Sequence, residues 1–355
     1  MRVAIVGAGI CGLYLAWKLS EKGNEVFVFE KREKIGKEVC SGLLSEIILE
    51  FIPESKKLIQ NQIEYCLIHL SSFRENESAD GDESKLRRRK FHRLPKRTLK
   101  VKFSKKFFVM NHFELDNLLA KLAQKAGAKI FLNRVMLTSD VNILLYQEKF
   151  DGIIGCDGAN SIVRKNLGLN NPDFCLGIRG FIEKNDSSNF VETWPTKNGF
   201  IWKIPRGGEV EEDKFSSSPF ANARVIEYGI IEKPERAREI FEKFLREKNL
   251  KLEKVNSAII PQGLIIPKNQ RITLCGDAAG LTKPWSGGGV VWGLISANIL
   301  LKNFPDFLKY QKEIKKFFLP KIIFSKIIKK LVYFFGFNFP WILPKEIRIE
   351  GDFLF

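Results

Sequence analysis

Near the start of the chain stands Gly7-Ala8-Gly9-Ile10-Cys11-Gly12, a GxGxxG run. Glycines at these positions allow a tight turn and a close backbone approach. A helix opening there turns its unsatisfied N–H groups toward a pyrophosphate. Residues 2–6 (RVAIV) read as a buried strand, and Leu13–Lys22 as an amphipathic helix closed by Gly23-Asn24. Residues 25–30 (EVFVFE) read as a second strand ending on Glu30. Glu30 is placed to accept a ribose hydroxyl, and the adjacent Lys31 joins it as a cofactor contact. This βαβ opening predicts a bound dinucleotide without choosing between nicotinamide and flavin forms.

Two more glycine-and-acid motifs follow later strands. One is Gly155-Cys156-Asp157-Gly158-Ala159-Asn160-Ser161-Ile162-Val163-Arg164. The other is Gly276-Asp277-Ala278-Ala279-Gly280, succeeded by Pro284-Trp285-Ser286-Gly287-Gly288-Gly289. Each alone would pass for an ordinary turn between strand and helix. Val39-Cys40-Ser41-Gly42 offers a thiol beside a glycine; Cys40 reads either as a small packing residue or as a reactive group. Phe200 and Trp202 alternate on Phe200-Ile201-Trp202-Lys203-Ile204-Pro205, as one face of a strand should. Core packing and substrate contact both fit them.

These motifs need a scaffold, and the rest of the chain supplies one. Segments within 59–108 alternate as half-buried strands around a polar insert, with acids over 75–83 and bases over 85–93. The insert reads as solvated loop. Phe113–Ala126 is an amphipathic helix capped by Gly127. Residues 176–231 are strand-rich with turn signals at Asn198-Gly199 and Arg206-Gly207-Gly208, which predicts an antiparallel sheet. Pro234–Lys248 and Gly289–Leu301 are helical.

Toward the end, Ile323, Ile327 and Leu331, with Phe324, Ile328 and Val332, repeat at helical spacing. Lys326, Lys329 and Lys330 are expected on the other side, giving a basic amphipathic helix. It suits packing on its own domain and lying in a membrane interface, and the two can coexist. No segment has the length and apolarity expected of a transmembrane span.

The chain has 355 residues, 45% hydrophobic and 28% charged, with a net charge of +17. Such a composition excludes a wholly disordered or disulfide-stapled protein, and the charge favours anionic partners. Six scattered cysteines with no CxxC, and three histidines in all, give no metal signature; one or two disulfides are compatible with the count.

In order and spacing, the three glycine motifs resemble those of FAD-dependent oxidoreductases of the aromatic-hydroxylase structural class. Val39-Cys40-Ser41-Gly42-Leu43-Leu44 resembles the Cys-x-Gly segment of the geranylgeranyl reductases, and 200–205 their Tyr-x-Trp-x-Phe-Pro motif. Phe200 stands for Tyr, Ile204 for Phe, and His112 where the family often has Arg. The Trp-x-Ile-Pro ending is also similar to that of flavin-dependent halogenases.

The resemblance implies FAD as cofactor. It places Gly7, Gly9, Gly12, Glu30, Lys31, Cys40, Ser41, Gly42, Asp157, Gly158, Gly276, Asp277, Gly287, Gly288 and Gly289 around it, ties Asp157 and Arg164 to a nicotinamide cofactor, and makes Cys40, Phe200 and Trp202 the catalytic candidates. No metal is implied.

The expected fold is α/β. A Rossmann-like three-layer ββα FAD-binding domain (1–58, 100–167 and 268–300) carries an inserted antiparallel-sheet substrate domain (59–99 and 168–267). A C-terminal basic amphipathic helical segment (301–355) follows. The expected activity is reduction of C=C bonds in geranylgeranyl chains of ether lipids or prenyl precursors. The alternative is an FAD monooxygenase or halogenase acting on an aromatic substrate. The expected partners are an isoprenoid lipid and NAD(P)H or ferredoxin as electron donor, with peripheral membrane contact and no nucleic acid. The expected location is the cytoplasm, at the inner membrane face.

Overall fold

The computed structural model describes residues 1–36, 40–70, 98–206, 225–339 and 342–349. Val39, the polar insert at 75–93 and Gly207-Gly208 lie outside them. The chain opens as β1 (Arg2–Val6), α1 (Ile10–Glu21), β2 (Glu25–Phe29), β3 (Leu43–Ser45), α2 (Ile48–Phe51), β4 (Ile59–His69) and β5 (Thr98–Met110). It continues through α3 (His112–Lys125), β6 (Lys129–Phe131), α4 (Thr138–Tyr146), β7 (Gly152–Gly155), α5 (Ile162–Asn166), β8 (Asp173–Glu183), β9 (Phe190–Pro195), β10 (Phe200–Pro205) and β11 (Val225–Glu232). It closes with α6 (Pro234–Glu247), β12 (Glu253–Gln262), β13 (Ile272–Leu274), α7 (Val290–Asn303), α8 (Phe307–Asn338) and β14 (Glu346–Ile349).

The first sheet has the order β13-β7-β1-β2-β6, and every pair in it is parallel. Its strands are short apolar runs because helices cover the sheet; β1 reads Val3, Ala4, Ile5 and Val6, all buried. α1 is buried nearly all round because α3 and α7 pack against it. The main core lies here.

The second sheet has the order β12-β8-β11-β10-β9-β4-β5-β14, with β3 also pairing β5. Most of it is antiparallel, as the strand spacing predicts, but β9 runs parallel to β4 and β14 parallel to β5. Both parallel pairs join strands far apart in sequence, so no local turn signal announces them. β5 belongs to this sheet, and the chain passes directly from it into α3 of the first layer. α6 covers one face, with Ile240, Phe241 and Phe244 packed near Ile201 and Ile230. Trp202 and Ile204 belong to a separate cluster with Ile63 and Val109.

α8 bridges the two regions. Tyr310, Ile314, Phe318 and Ile322 recur every four residues and are buried in the main core. Tyr310 donates to the Leu274 carbonyl at the end of β13 (3.0 Å). Further on, Tyr333 donates to the Gly199 carbonyl (2.6 Å), and Lys329 Nζ to those of Asn198 (2.8 Å) and Pro284 (3.3 Å). Lys329 therefore points inward, unlike its expected place among the solvated lysines, because two carbonyls await it there beside Tyr333. Phe317, Ile323, Phe324, Ile327, Leu331 and Phe334 are left exposed as a stripe on α8. Among the described residues no helix is long and apolar enough to cross a membrane.

Candidate active site

Three neighbouring parallel strands bring the three motifs to one edge. β1, β7 and β13 end at Val6, Gly155 and Leu274, so Gly7, Asp157 and Gly276 emerge side by side at the carboxyl ends. That is where open α/β sheets bind ligands. The motifs also touch. A side chain on Gly7 (φ +102°) would lie 2.8 Å from the Cα of Asp157, and one on Gly12 would strike the Gly7 carbonyl oxygen. One on Gly276 would lie 2.6 Å from Cys11 Sγ, so Cys11 is a packing contact between motifs. Gly9 differs, since a Cβ there meets nothing within 4 Å. The fold does not demand glycine at that position, whereas close approach of a ligand does.

Glu30 is buried. Its Oε2 accepts the Ala8 N–H (2.8 Å), and its Oε1 accepts the backbone N–H (3.0 Å) and Nε–H (2.9 Å) of Arg32. Burial pushes its carboxyl up, but Arg32 and the two backbone donors more than offset that and hold it low. Lys31 is exposed beside it.

Asp157 Oδ2 accepts the N–H groups of Ile162 (2.6 Å) and Val163 (3.3 Å), capping α5. Its Oδ1 is buried without a hydrogen-bond partner. Gly158 (φ +80°) adjoins open space. Arg164 lies behind the motif. It is wholly buried, and donates to the carbonyls of Ala278 (2.8 Å) and Ala159 (2.6 Å) and to Asn171 Oδ1 (2.9 Å). It clamps the second motif to the third.

Gly287, Gly288 and Gly289 lead into α7 beside Asp277. A Cβ on Gly289 would stand 2.7 Å from Asp277 Oδ1, and one on Gly287 (φ +71°) 2.5 Å from Ile231 Cδ1. Gly288 is exposed.

The Cys40-Ser41-Gly42 loop lies over the end of β5. The Met110 N–H donates to the Gly42 carbonyl (2.9 Å); Gly42 has φ +67°, and a Cβ there would strike the Met110 carbonyl oxygen. Ser41 Oγ accepts weakly from the Leu43 N–H (3.5 Å). Arg206 follows β10 and donates to the same Met110 carbonyl (3.0 Å). It also pairs with the fully buried Glu227, as does Arg179 (2.8 Å). Trp202 donates its indole N–H to Glu227 Oε1 (3.0 Å), and its ring occupies the space left by Gly229. Phe200 lies 6.0 Å from it, ring to ring. A polar chain thus links the Cys40 loop through Arg206 and Glu227 to Trp202.

Sequence reasoning missed Arg206, Glu227, Arg179 and Asp116. Arg206 was within reach, since it directly follows the Trp-x-Ile-Pro ending. The six cysteines form no disulfide.

Residues 5–42 match a family model described as an NAD(P)-binding Rossmann-like domain. A digeranylgeranylglycerophospholipid reductase of Methanocella arvoryzae is 25% identical over 84% of this chain and 75% of its own. A geranylgeranyl bacteriochlorophyll reductase-like protein from Thermoplasma acidophilum superposes with a TM-score of 0.70 at 18% identity, covering 94% of this chain and 87% of that one. A halogenase crystallised with FAD follows at 0.64 and 14%, covering 95% and 78%. The chain is an FAD-dependent oxidoreductase similar to the geranylgeranyl reductases. The halogenase shares the fold alone.

FAD suits the residues present. Open space at Gly9, the unpartnered Asp157 Oδ1 and the side-chain-free run at 287–289 are what a bound dinucleotide would use.

Proposed function

We propose that the protein saturates C=C bonds of geranylgeranyl chains, in membrane ether lipids or prenyl precursors. The similarity along most of the chain to a reductase named for such a lipid carries this reading. The Cys40 loop and Trp202, joined by one buried polar chain, support it. Gly7, Gly9, Gly12 and Glu30, with Lys31 beside them, would hold the adenosine and pyrophosphate portion of FAD. Asp157, Gly158, Gly276 and Asp277 would hold the pyrophosphate and ribityl chain. Gly287, Gly288 and Gly289 would turn N–H groups toward the flavin ring edge, where negative charge is favoured at a helix start. FAD, when bound and reduced, supplies a hydride. The protein's own task is to hold the chain against Cys40, Phe200 and Trp202 and to provide the matching proton. NAD(P)H or a ferredoxin would reduce the flavin, and the basic surface suits an acidic donor.

The exposed stripe on α8 would rest on the membrane surface, letting the chain of a lipid enter beside the helix. The test is anaerobic. Protein reduced with dithionite is mixed with a geranylgeranylated phospholipid while flavin absorbance is followed, and the lipid is then weighed by mass spectrometry. Flavin reoxidation with lipid gaining hydrogens in pairs is expected. An unchanged lipid, with oxygen consumed only in the presence of an aromatic substrate, would replace this reading by an oxygenase.

A further inference from the structure

His112 opens α3, set there by Asn111, whose Oδ1 accepts the Phe113 N–H (3.0 Å) as the helix cap. One turn on, the carboxylate of Asp116 is fully buried, and His112 Nε2 lies 3.4 Å from its Oδ1. The imidazole also hydrogen-bonds the Cys40 side chain. The Cys40 loop cannot drift from this position, because Gly42 is pinned to Met110 two residues before His112. The Gly42 N–H also points at Cys40 Sγ (3.5 Å).

We propose that Cys40, His112 and Asp116 form a relay in which Cys40 stands as a thiolate beside the His112 imidazolium, with Asp116 orienting the ring. The charges around it agree. Arg206 faces Cys40 from the second sheet, with Glu227 behind it, and Arg32 faces Asp116 from the loop after β2. Burial pushes His112 down, but Asp116 and Cys40 outweigh it and carry the imidazole up to about 10. A cationic neighbour is what lowers a thiol.

The use of the relay rests on the reductase reading. FAD, when bound and reduced, would supply a hydride to one alkene carbon. Cys40, reprotonated by the His112 imidazolium, gives its S–H proton to the other carbon and returns to thiolate. The imidazole left neutral regains a proton from water. Cys40 is then the catalytic residue, and His112 positions it and stores its proton.

The experiment reads the thiol directly. The purified full chain is alkylated with iodoacetamide across pH 5 to 10, and modification of Cys40 is followed by peptide mass spectrometry. The expected wild-type midpoint lies at least one pH unit below the ordinary thiol value of about 8.5. His112→Gln should raise that midpoint and slow labelling at pH 7 about tenfold, while His112→Arg, which keeps the charge, should preserve it. A wild-type midpoint at or above about 8.5, or a Gln variant labelling like wild type, would overturn the relay. The wild-type midpoint decides the matter even if the Gln variant does not fold. No flavin or lipid takes part, so a low midpoint without lipid reduction would count against the reductase reading alone.

Discussion

The indole N–H of Trp202 donates to Glu227 Oε1, and Glu227 sits directly opposite Ile204 on the adjacent strand. Its second oxygen holds Arg206 and Arg179. One carboxylate therefore aims the site's tryptophan and pairs with two buried guanidinium groups. Taking it away strands both charges. Glu227→Gln should cost about 3 kcal/mol, since breaking a buried ion pair typically costs about 3–5 kcal/mol. Urea unfolding followed by tryptophan fluorescence measures this. A loss under about 1 kcal/mol would mean that the arginines find other partners.

Gly9 and Gly12 separate ligand binding from folding. Gly9→Ala should leave the urea midpoint unchanged and lower FAD retention at least tenfold, because space there is open to a ligand and to no protein atom. Gly12→Ala should destabilise the apoprotein by about 1–3 kcal/mol, because its Cβ would strike the Gly7 carbonyl. Paired unfolding curves and FAD titrations distinguish the two. Equal losses in both assays for both variants would refute the division.

The pH dependence of stability has a definite sign. His112 is raised in the folded state from 6.5 to about 10. Its contribution is fully present below about pH 6.5 and is lost as pH rises through 10, because across that window the folded protein binds the extra proton. The stability gap between wild type and His112→Gln should therefore be widest near pH 6 and close toward pH 10. Thermal melts across that range measure it, and a gap that widens with pH would contradict the assignment.

The α8 stripe predicts surface behaviour. Ile327 and Leu331 are each 51% exposed. Changing both to Glu should reduce flotation with anionic vesicles at least tenfold while FAD content stays constant, as two apolar contacts become negative charges. Flotation equal to wild type would remove the membrane from the picture.

The βαβ opening and the glycine motifs were legible because their geometry is local: strand, turn and helix lie within thirty residues of one another. The Glu227 cluster was not. Its members come from β8, β10 and β11, and only the register Trp202 to Gly229 and Gly229 to Arg179 brings them together. His112 and Asp116 show helical spacing in the sequence, yet nothing local places Cys40 beside them; that follows from the pairing of β3 with the end of β5. Lys329 misled for a similar reason, since helical periodicity says which face a residue occupies but not what lies opposite.

α8 is a single rod fastened at both ends. Tyr310 is tied to the last strand of the parallel sheet, and Tyr333 to the hairpin between β9 and β10. Pro320 sits between these anchors, where the ring removes one rung of the helical ladder. A strut with one weak joint keeps the two sheets at a fixed spacing and permits only bending at that joint. Any change in the spacing of the two sheets would then be a small flexure centred on residue 320.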